Sequence, residues 1–200
     1  MVDVQRGALS IAIIDENPVR AAILEDGLRE AGHLSIARIS EMTDLLARIY
    51  ALDPDVIVIS LENPSRDVLE QMFQVSRAVR RPVAMFVDQA DSASIQAAVD
   101  AGVSTYVVDG LRKERIRPIL DVTISRFEAF ARLQDELAAA KEALEDRKTI
   151  DRAKGILMKS RRLSEQEAYT LLRKTAMNQK RKLADIAQSV VTAAQLLNEP

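Results

Sequence analysis

The sequence predicts an α/β doubly wound five-stranded parallel sheet, followed by a long helix and a small all-α three-helix module. Two patterns carry that expectation. Through the first part of the chain, short apolar runs rich in β-branched residues alternate with longer segments of helical period, as βαβ units around a parallel sheet require. After Leu111 the periodicity turns wholly helical and stays so to the end. The length agrees, because 200 residues exceed what one small core needs and suit two compact units of unequal size.

Five strands are expected at 9–14, 34–39, 55–61, 83–87 and 105–108. Between them apolar residues recur at helical spacing, as in Val19, Ile23, Leu24 and Leu28, or Val68, Leu69, Met72 and Val75. Asn17 before Pro18 supplies a capping side chain ahead of a proline at the first helical position. Ala31-Gly32 and Ala101-Gly102 read as helix ends, and Asp53-Pro54 and Arg81-Pro82 lead into strands. Such a sheet places a functional crevice at the carboxyl ends of its strands. The long helix is expected to start near Pro118, whose missing donor is harmless in an opening turn, and to run past Leu144. Along it Phe130, Leu133, Leu137, Ala140 and Leu144 alternate spacings of three and four, the seam of a coiled coil. A homodimer through the 126–146 helix is the expectation, and packing of the stripe on the chain's own domains is the alternative. Ser164-Glu165-Gln166-Glu167 is a capping box that opens the next helix, and a last helix follows at 183–197. The expected division is a sheet domain at 8–117, a coiled-coil-like helical connector at 118–146 and a three-helix domain at 147–200.

Composition narrows the function. With 48% hydrophobic and 29% charged residues the chain has enough apolar surface to fold along its whole length. The absence of cysteine excludes disulfides, thiolate zinc sites, iron–sulfur clusters and a cysteine nucleophile. The N-terminal residues lack the pattern of a signal peptide, and no apolar run approaches the ~20 residues of a membrane span. A cytoplasmic protein with no membrane partner is therefore expected. Few aromatics and no Trp disfavour a sheet that stacks bases. The charge is unevenly spread: residues 1–125 carry a net −6, residues 126–200 a net +4, and 147–182 alone a net +9. That last density suits a surface that meets a polyanion.

At the expected crevice stand Asp15-Glu16 after the first strand, the third strand DVIVISLENP, the fourth strand RPVAMFV, and AGVSTYVVDG around the fifth. This set resembles the receiver domain of two-component response regulators. In such receivers an aspartate ends the third strand and accepts a phosphoryl group, helped by Mg²⁺ on the acidic pair, a Ser/Thr ending the fourth strand and a Lys ending the fifth. The matching positions here hold Ser60, Val87 and Asp109, so the resemblance implies a degenerate phospho-site. Ser60 lacks an ionised oxygen that attacks without a base, Val87 has no hydroxyl, and Asp109 inverts the charge that a lysine would supply. Asp15, Glu16 and Asp109 are expected to converge as a solvated acidic rim, supplemented by Glu62 and Asn63. A Mg²⁺ held by Asp15 and Glu16 is the alternative, and no cofactor is expected. His33 has no second histidine or base near it and reads as structural. Ser60 is not in a G-x-S-x-G turn, and no glycine-rich phosphate fingerprint occurs, so no enzyme emerges.

In the basic segment, Arg147, Asp151 and Lys154 fall on one helical face and Lys148 and Arg152 beside it, while Ile150, Ala153, Leu157 and Met158 are expected to point to a core. Gly155 would let a sugar-phosphate backbone or a loop base approach the helix, or would pack tightly on the next helix. Tyr169 and Arg173, one turn apart, offer a stacking surface next to a guanidinium, with Lys174 alongside; a Tyr169 that fills the core is the alternative. Lys180-Arg181-Lys182 reads as phosphate contact. Over about 143–197 the residues Ala143-Leu144, Arg147, Ile150, Ala153-Lys154-Gly155, Leu157-Met158, Ser164, Glu167-Ala168, Leu172-Arg173, Met177, Ala187 and Val190 resemble the ANTAR domain. That domain is the RNA-binding output module of transcription antiterminators, and the run LLRKTAMNQKRKLADIAQSVV looks most like their nitrate-responsive branch.

The resemblance implies an RNA-binding antiterminator that binds stem-loops in leader mRNA and so prevents termination. Its control is expected from a partner protein or ligand, such as a nitrate or nitrite sensor, or from the acidic domain folding back on the basic one, and not from Asp phosphorylation. The competing reading is a phosphorelay response regulator whose helical output binds DNA or a protein. The missing acceptor aspartate and the lack of any Lys or Arg over 183–197 count against it. A dimerisation adaptor with an incidental basic patch is the third.

Overall fold

The structure, a computed structural model, describes residues 8–62, 64–109 and 111–198. Two compact units divide it, Met1–Ala131 and Arg132–Pro200. The first alternates β1 (Ser10–Ile14), α1 (Pro18–Glu30), β2 (Ser35–Ile39), α2 (Leu45–Leu52), β3 (Val56–Leu61), α3 (Arg66–Ala78), β4 (Val83–Val87), α4 (Ser92–Asp100) and β5 (Thr105–Val108), and ends in the first turns of α5 (Lys113–Arg161). All neighbouring strands pair parallel in the order β2-β1-β3-β4-β5. The order reverses between β1 and β3, so the switch point lies at their carboxyl ends.

Every residue of β3 is buried, which explains its unbroken apolar run: a central parallel strand has no wet face. Its residues alternate between two cores. Ile57, Ile59 and Leu61 pack with Leu45, Ile49, Met72, Phe73 and Ala98 of α2 to α4. Val56 and Val58 pack with Leu24 and Leu28 of α1 and with Ile116, Leu120 and Ile124 of α5. Caps fall where the turn chemistry puts them. The Asn17 side chain accepts from the Val19 and Arg20 amides, and Gly32 and Gly102 adopt positive φ after α1 and α4. Gly27 has a different reason to be glycine, since a Cβ there would lie 3.2 Å from Ile116 Cβ and Cγ1.

The long helix departs from expectation at its start. It begins at Lys113, and Pro118 lies inside its second turn. Burial of Ile116 below Leu120 and Ile124 holds the turn ahead of the proline, which forfeits one backbone bond. Both expected domain boundaries, after 117 and after 146, fall within this continuous helix.

In the second unit the end of α5 joins α6 (Glu165–Gln179) and α7 (Leu183–Asn198). Ala153, Leu157, Ala168, Leu172, Ala176, Ile186, Ala187 and Val191 form its core. The capping box is present: Ser164 Oγ accepts from the Glu167 amide, and Glu167 Oε2 accepts from the Ser164 amide at 2.8 Å. Met158 does not join this core. It is 38% exposed, because it projects from the side of α5 turned away from Ala153.

Candidate functional site

Two regions carry the residues singled out by sequence. The first is the crevice beyond β1 and β3, a cleft of about 810 Å³ lined among others by Glu16, Asn17, Arg20, Ser60, Glu62 and Ser65. The acidic rim expected there is not a solvated trio. Asp15 is buried, at 3% exposure, whereas Glu16 and Asp109 face solvent. Arg20, from the first turn of α1, supplies the cation: its Nε and Nη2 donate to the two Asp15 carboxylate oxygens at 3.2 and 3.0 Å, and its Nη1 donates to Glu62 Oε2 at 2.8 Å. The Asn17 amide donates to Asp15 Oδ1 at 2.8 Å. The bond to Asp15 raises the Arg20 pKa above its ordinary value against the opposing effect of burial, with Glu62 and Asp88 adding to the rise. Among the described residues no group of three or more His, Cys, Asp or Glu side chains is placed to hold a metal ion; Asn63 lies outside the described residues.

Ser60 is buried at 2% exposure, paired in register with Phe86. Val87 is buried between Leu61 and Val108. Asp109 takes a left-handed conformation, and its amide donates to the Val87 carbonyl at 3.0 Å. These three positions therefore hold a buried hydroxyl, a core methyl pair and an outward carboxylate. His33 accepts from the Leu9 amide through Nδ1 at 3.3 Å, and burial lowers its pKa, with Asp121 opposing. That is a structural histidine.

The second region is the surface of the three-helix unit. Lys154 is not free: its Nζ lies 2.7 Å from both Asp151 Oδ1 and Glu165 Oε1, and these bonds raise its pKa. It ties the end of α5 to the start of α6. Lys148 pairs with Glu145 at 2.7 Å in an exposed contact, which stabilises little. Among the described residues Arg147, Arg152, Lys159, Arg173, Lys174, Lys180 and Arg181 are exposed and make no salt bridge. Glu165, Tyr169 and Arg173 recur at four-residue spacing on one exposed face of α6. The Lys154–Glu165 pair sets that face beside Arg147, Asp151 and Lys154 of α5. Tyr169 is 38% exposed and so does not fill the core. Lys174 lies round the helix from Arg173. Arg152 and Lys148 open on the other side of α5, along a groove with Gln188, Val191 and Gln195 of α7, and Arg181 lines a neighbouring hollow with Asp185 and Gln188. The predicted residues thus wrap around α5 and its flanks instead of forming one flat patch. A Cβ added at Gly155 would meet nothing within 4 Å, so tight packing on the next helix is not its role.

Sequence reasoning missed Arg20, although its place three residues after the capping Asn17 was a usable signal. It also missed Glu165 as the partner of Lys154.

Comparison with known proteins places these regions. Residues 138–191 match the ANTAR domain. The transcriptional regulatory protein PdtaR of Mycobacterium tuberculosis is 23% identical over 181 residues, 90% of this chain and 88% of that protein. The nitrate regulatory protein of Klebsiella oxytoca is 39% identical over 64 residues, 32% of this chain and 16% of that protein. Among solved structures, a response regulator from Thermotoga maritima superimposes with a TM-score of 0.52 at 14% identity, over 59% of this chain and 98% of that one. A CheY-like receiver domain protein from Methanospirillum hungatei gives 0.53 at 13%, over 62% and 98%. At such identities the likeness is one of fold. The protein thus carries an ANTAR domain behind a doubly wound domain of receiver-like fold.

Proposed function

We propose that this protein is a regulator of transcription that binds stem-loops in leader mRNA through its ANTAR domain and prevents a terminator from forming. The observation that carries the reading is the exposed pair Tyr169 and Arg173, flanked by unpaired cations on α5 and after α6. An aromatic ring beside a guanidinium suits an unpaired loop base, which duplex DNA does not offer. Free Arg152, Lys180 and Arg181 suit phosphates, which position without reading sequence. The names of the relatives, both regulatory proteins, agree with this use.

Control comes from a partner protein or ligand and not from Asp phosphorylation. Arg20 takes the cation position beside Asp15, and Ser60 offers no carboxylate. The likeness to the nitrate regulatory protein supports a nitrate or nitrite sensor as that partner. The exposed stripe Phe130, Leu133, Leu137 and Leu144, each more than half exposed, supports a homodimer through 126–146. No helix among the described residues is long and apolar enough to cross a membrane, in keeping with a cytoplasmic regulator.

The test uses the full chain and three probes: a hairpin RNA selected by the protein from a pool with randomised loops, the same hairpin with its loop scrambled, and a DNA duplex of equal length. Tyr169→Ala or Arg173→Ala should cost about 1–3 kcal/mol on the selected hairpin and much less on the other two. Lys180→Ala should weaken all three alike and lower the salt slope by about one. Equal affinity of the unaltered protein for all three probes refutes RNA recognition.

A further inference from the structure

Glycine inside a helix is worse than any residue but proline, and Gly155 sits deep within α5. At Gly27 the cost has an internal reason in the side chain of Ile116, whereas a methyl group at Gly155 would enter open space. Whatever needs Gly155 bare lies outside this fold. The neighbours one turn away on its surface are Asp151, Arg152, Met158 and Lys159, all exposed. The core residues Ala153 and Leu157 lie on the opposite side. Lys154 answers the charge of Asp151, which leaves Arg152 and Lys159 as unpaired cations on either side of the notch, roughly 10 Å apart along the axis.

From this geometry we infer that Gly155 is the point at which a sugar-phosphate strand of the bound RNA crosses α5, with Arg152 and Lys159 taking phosphates before and after the crossing. The inference rests on the RNA-binding reading and adds to it a contact surface on α5, separate from the base-stacking pair on α6. Bare backbone lets the strand approach to van der Waals contact with the helix, and an added side chain holds it off. The charge selects the occupant. A second copy of α5 crossing here would set Arg152 and Lys159 against their own copies, a like-charge contact that disfavours it.

The deciding variant is Gly155→Ala in the full chain, which favours the helix and so keeps the fold. The readouts are the thermal midpoint by circular dichroism, the sedimentation coefficient, and affinity for the selected hairpin. A midpoint at or above that of the unaltered protein, unchanged sedimentation and roughly ten-fold weaker hairpin binding are expected. Arg152→Ala and Lys159→Ala should each lower the salt slope by about one. Hairpin binding by Gly155→Ala within about two-fold of the unaltered protein, a change smaller than one lost contact is worth, overturns the crossing while leaving the RNA reading intact. Weaker binding together with altered sedimentation assigns the notch to a second copy and also overturns it. If the unaltered protein does not prefer the hairpin, the RNA reading falls and the crossing with it.

Discussion

Arg20→Ala is the sharpest test of how the receiver-like domain is held. The Asp15 side chain is fully buried and that of Arg20 is 16% exposed, so the pair is shielded from water on the carboxylate side. Removing the guanidinium takes away both of its bonds to Asp15 and leaves only the Asn17 amide. Glu62 is 56% exposed and can turn to solvent, so the penalty belongs to Asp15. Breaking a buried pair from one side costs about 3–5 kcal/mol, and the partial exposure of Arg20 argues for the lower end, about 3 kcal/mol. Such a loss lowers the thermal midpoint of a domain this size by roughly 10 °C. Amide hydrogen exchange read by mass spectrometry reports β1 and β3 separately from the three-helix unit, and only the former should lose protection. Asp15→Asn in the same background should recover part of the loss by removing the stranded charge, whereas Glu62→Gln alone should cost less than about 1 kcal/mol. The Arg20 pKa is raised by folding, so its contribution is fully present below the ordinary arginine range and is lost only as pH rises above it. The Arg20 contribution is therefore indifferent to pH near neutrality. A cost of Arg20→Ala below about 1 kcal/mol, no more than an exposed pair is worth, or an Asp15→Asn change that relieves nothing, refutes the assignment.

Small phosphodonors should leave no acid-labile adduct on the protein by mass analysis, and a stoichiometric one in the receiver-like domain would revive the phosphorelay reading. Leu137→Glu should weaken self-association by a few kcal/mol if the exposed stripe is buried between copies. Sedimentation of the unaltered protein as a monomer at every concentration, with and without RNA, would remove that seam. The Glu167 carboxyl is held below the ordinary glutamate range, chiefly by the Ser164 hydroxyl and then by its amide. With the folded pKa depressed, the capping box stabilises above the unfolded value and is lost as pH falls through the folded one. Ser164→Ala should cost about 1 kcal/mol near neutral pH and flatten the acid side of the melting profile of the three-helix unit; an unchanged profile counts against the cap.

The fold was legible because its signals are local. Three of the strands start one residue later than the apolar runs suggest and the last two coincide with them. Ahead of the third strand, Asp55 and Ser10 are joined by both backbone and side chain: the Asp55 amide donates to the Ser10 carbonyl at 2.8 Å, and the Asp55 carboxylate accepts from the amide and hydroxyl of Ser10 at 2.8 and 3.0 Å. Where the reading failed, the decisive contact came from a neighbouring element, whether near in the chain, as Arg20 is to Asp15, or far from it, as Ile116 is from Leu24 and Leu28. Pro118 looks like a first-turn proline until Ile116 is seen packed in the same core as Leu24 and Leu28. Asp15 looks like one of three repelling carboxylates until α1 brings Arg20 beside it, and the bond from Arg20 to Glu62 spans 42 positions. Periodicity sorts residues among the faces of one element and says nothing of which cation a neighbouring element will lend.

The same limit governs the charge count. Residues 147–182 sum to +9, but that figure overstates what a polyanion meets. Lys154 is shared between Asp151 and Glu165, Lys148 is paired with Glu145, and Lys182 lies 3.4 Å from Glu142, outside the counted stretch. Lys148 and Lys182 are exposed pairs that a phosphate can displace at little cost. Lys154 is different, because releasing it would break two contacts and loosen the start of α6 from α5. A lysine with that placement holds the start of α6 on α5, and with it the face on which Tyr169 and Arg173 follow Glu165 at helical spacing; under the RNA-binding reading proposed above, its task is to fix that surface.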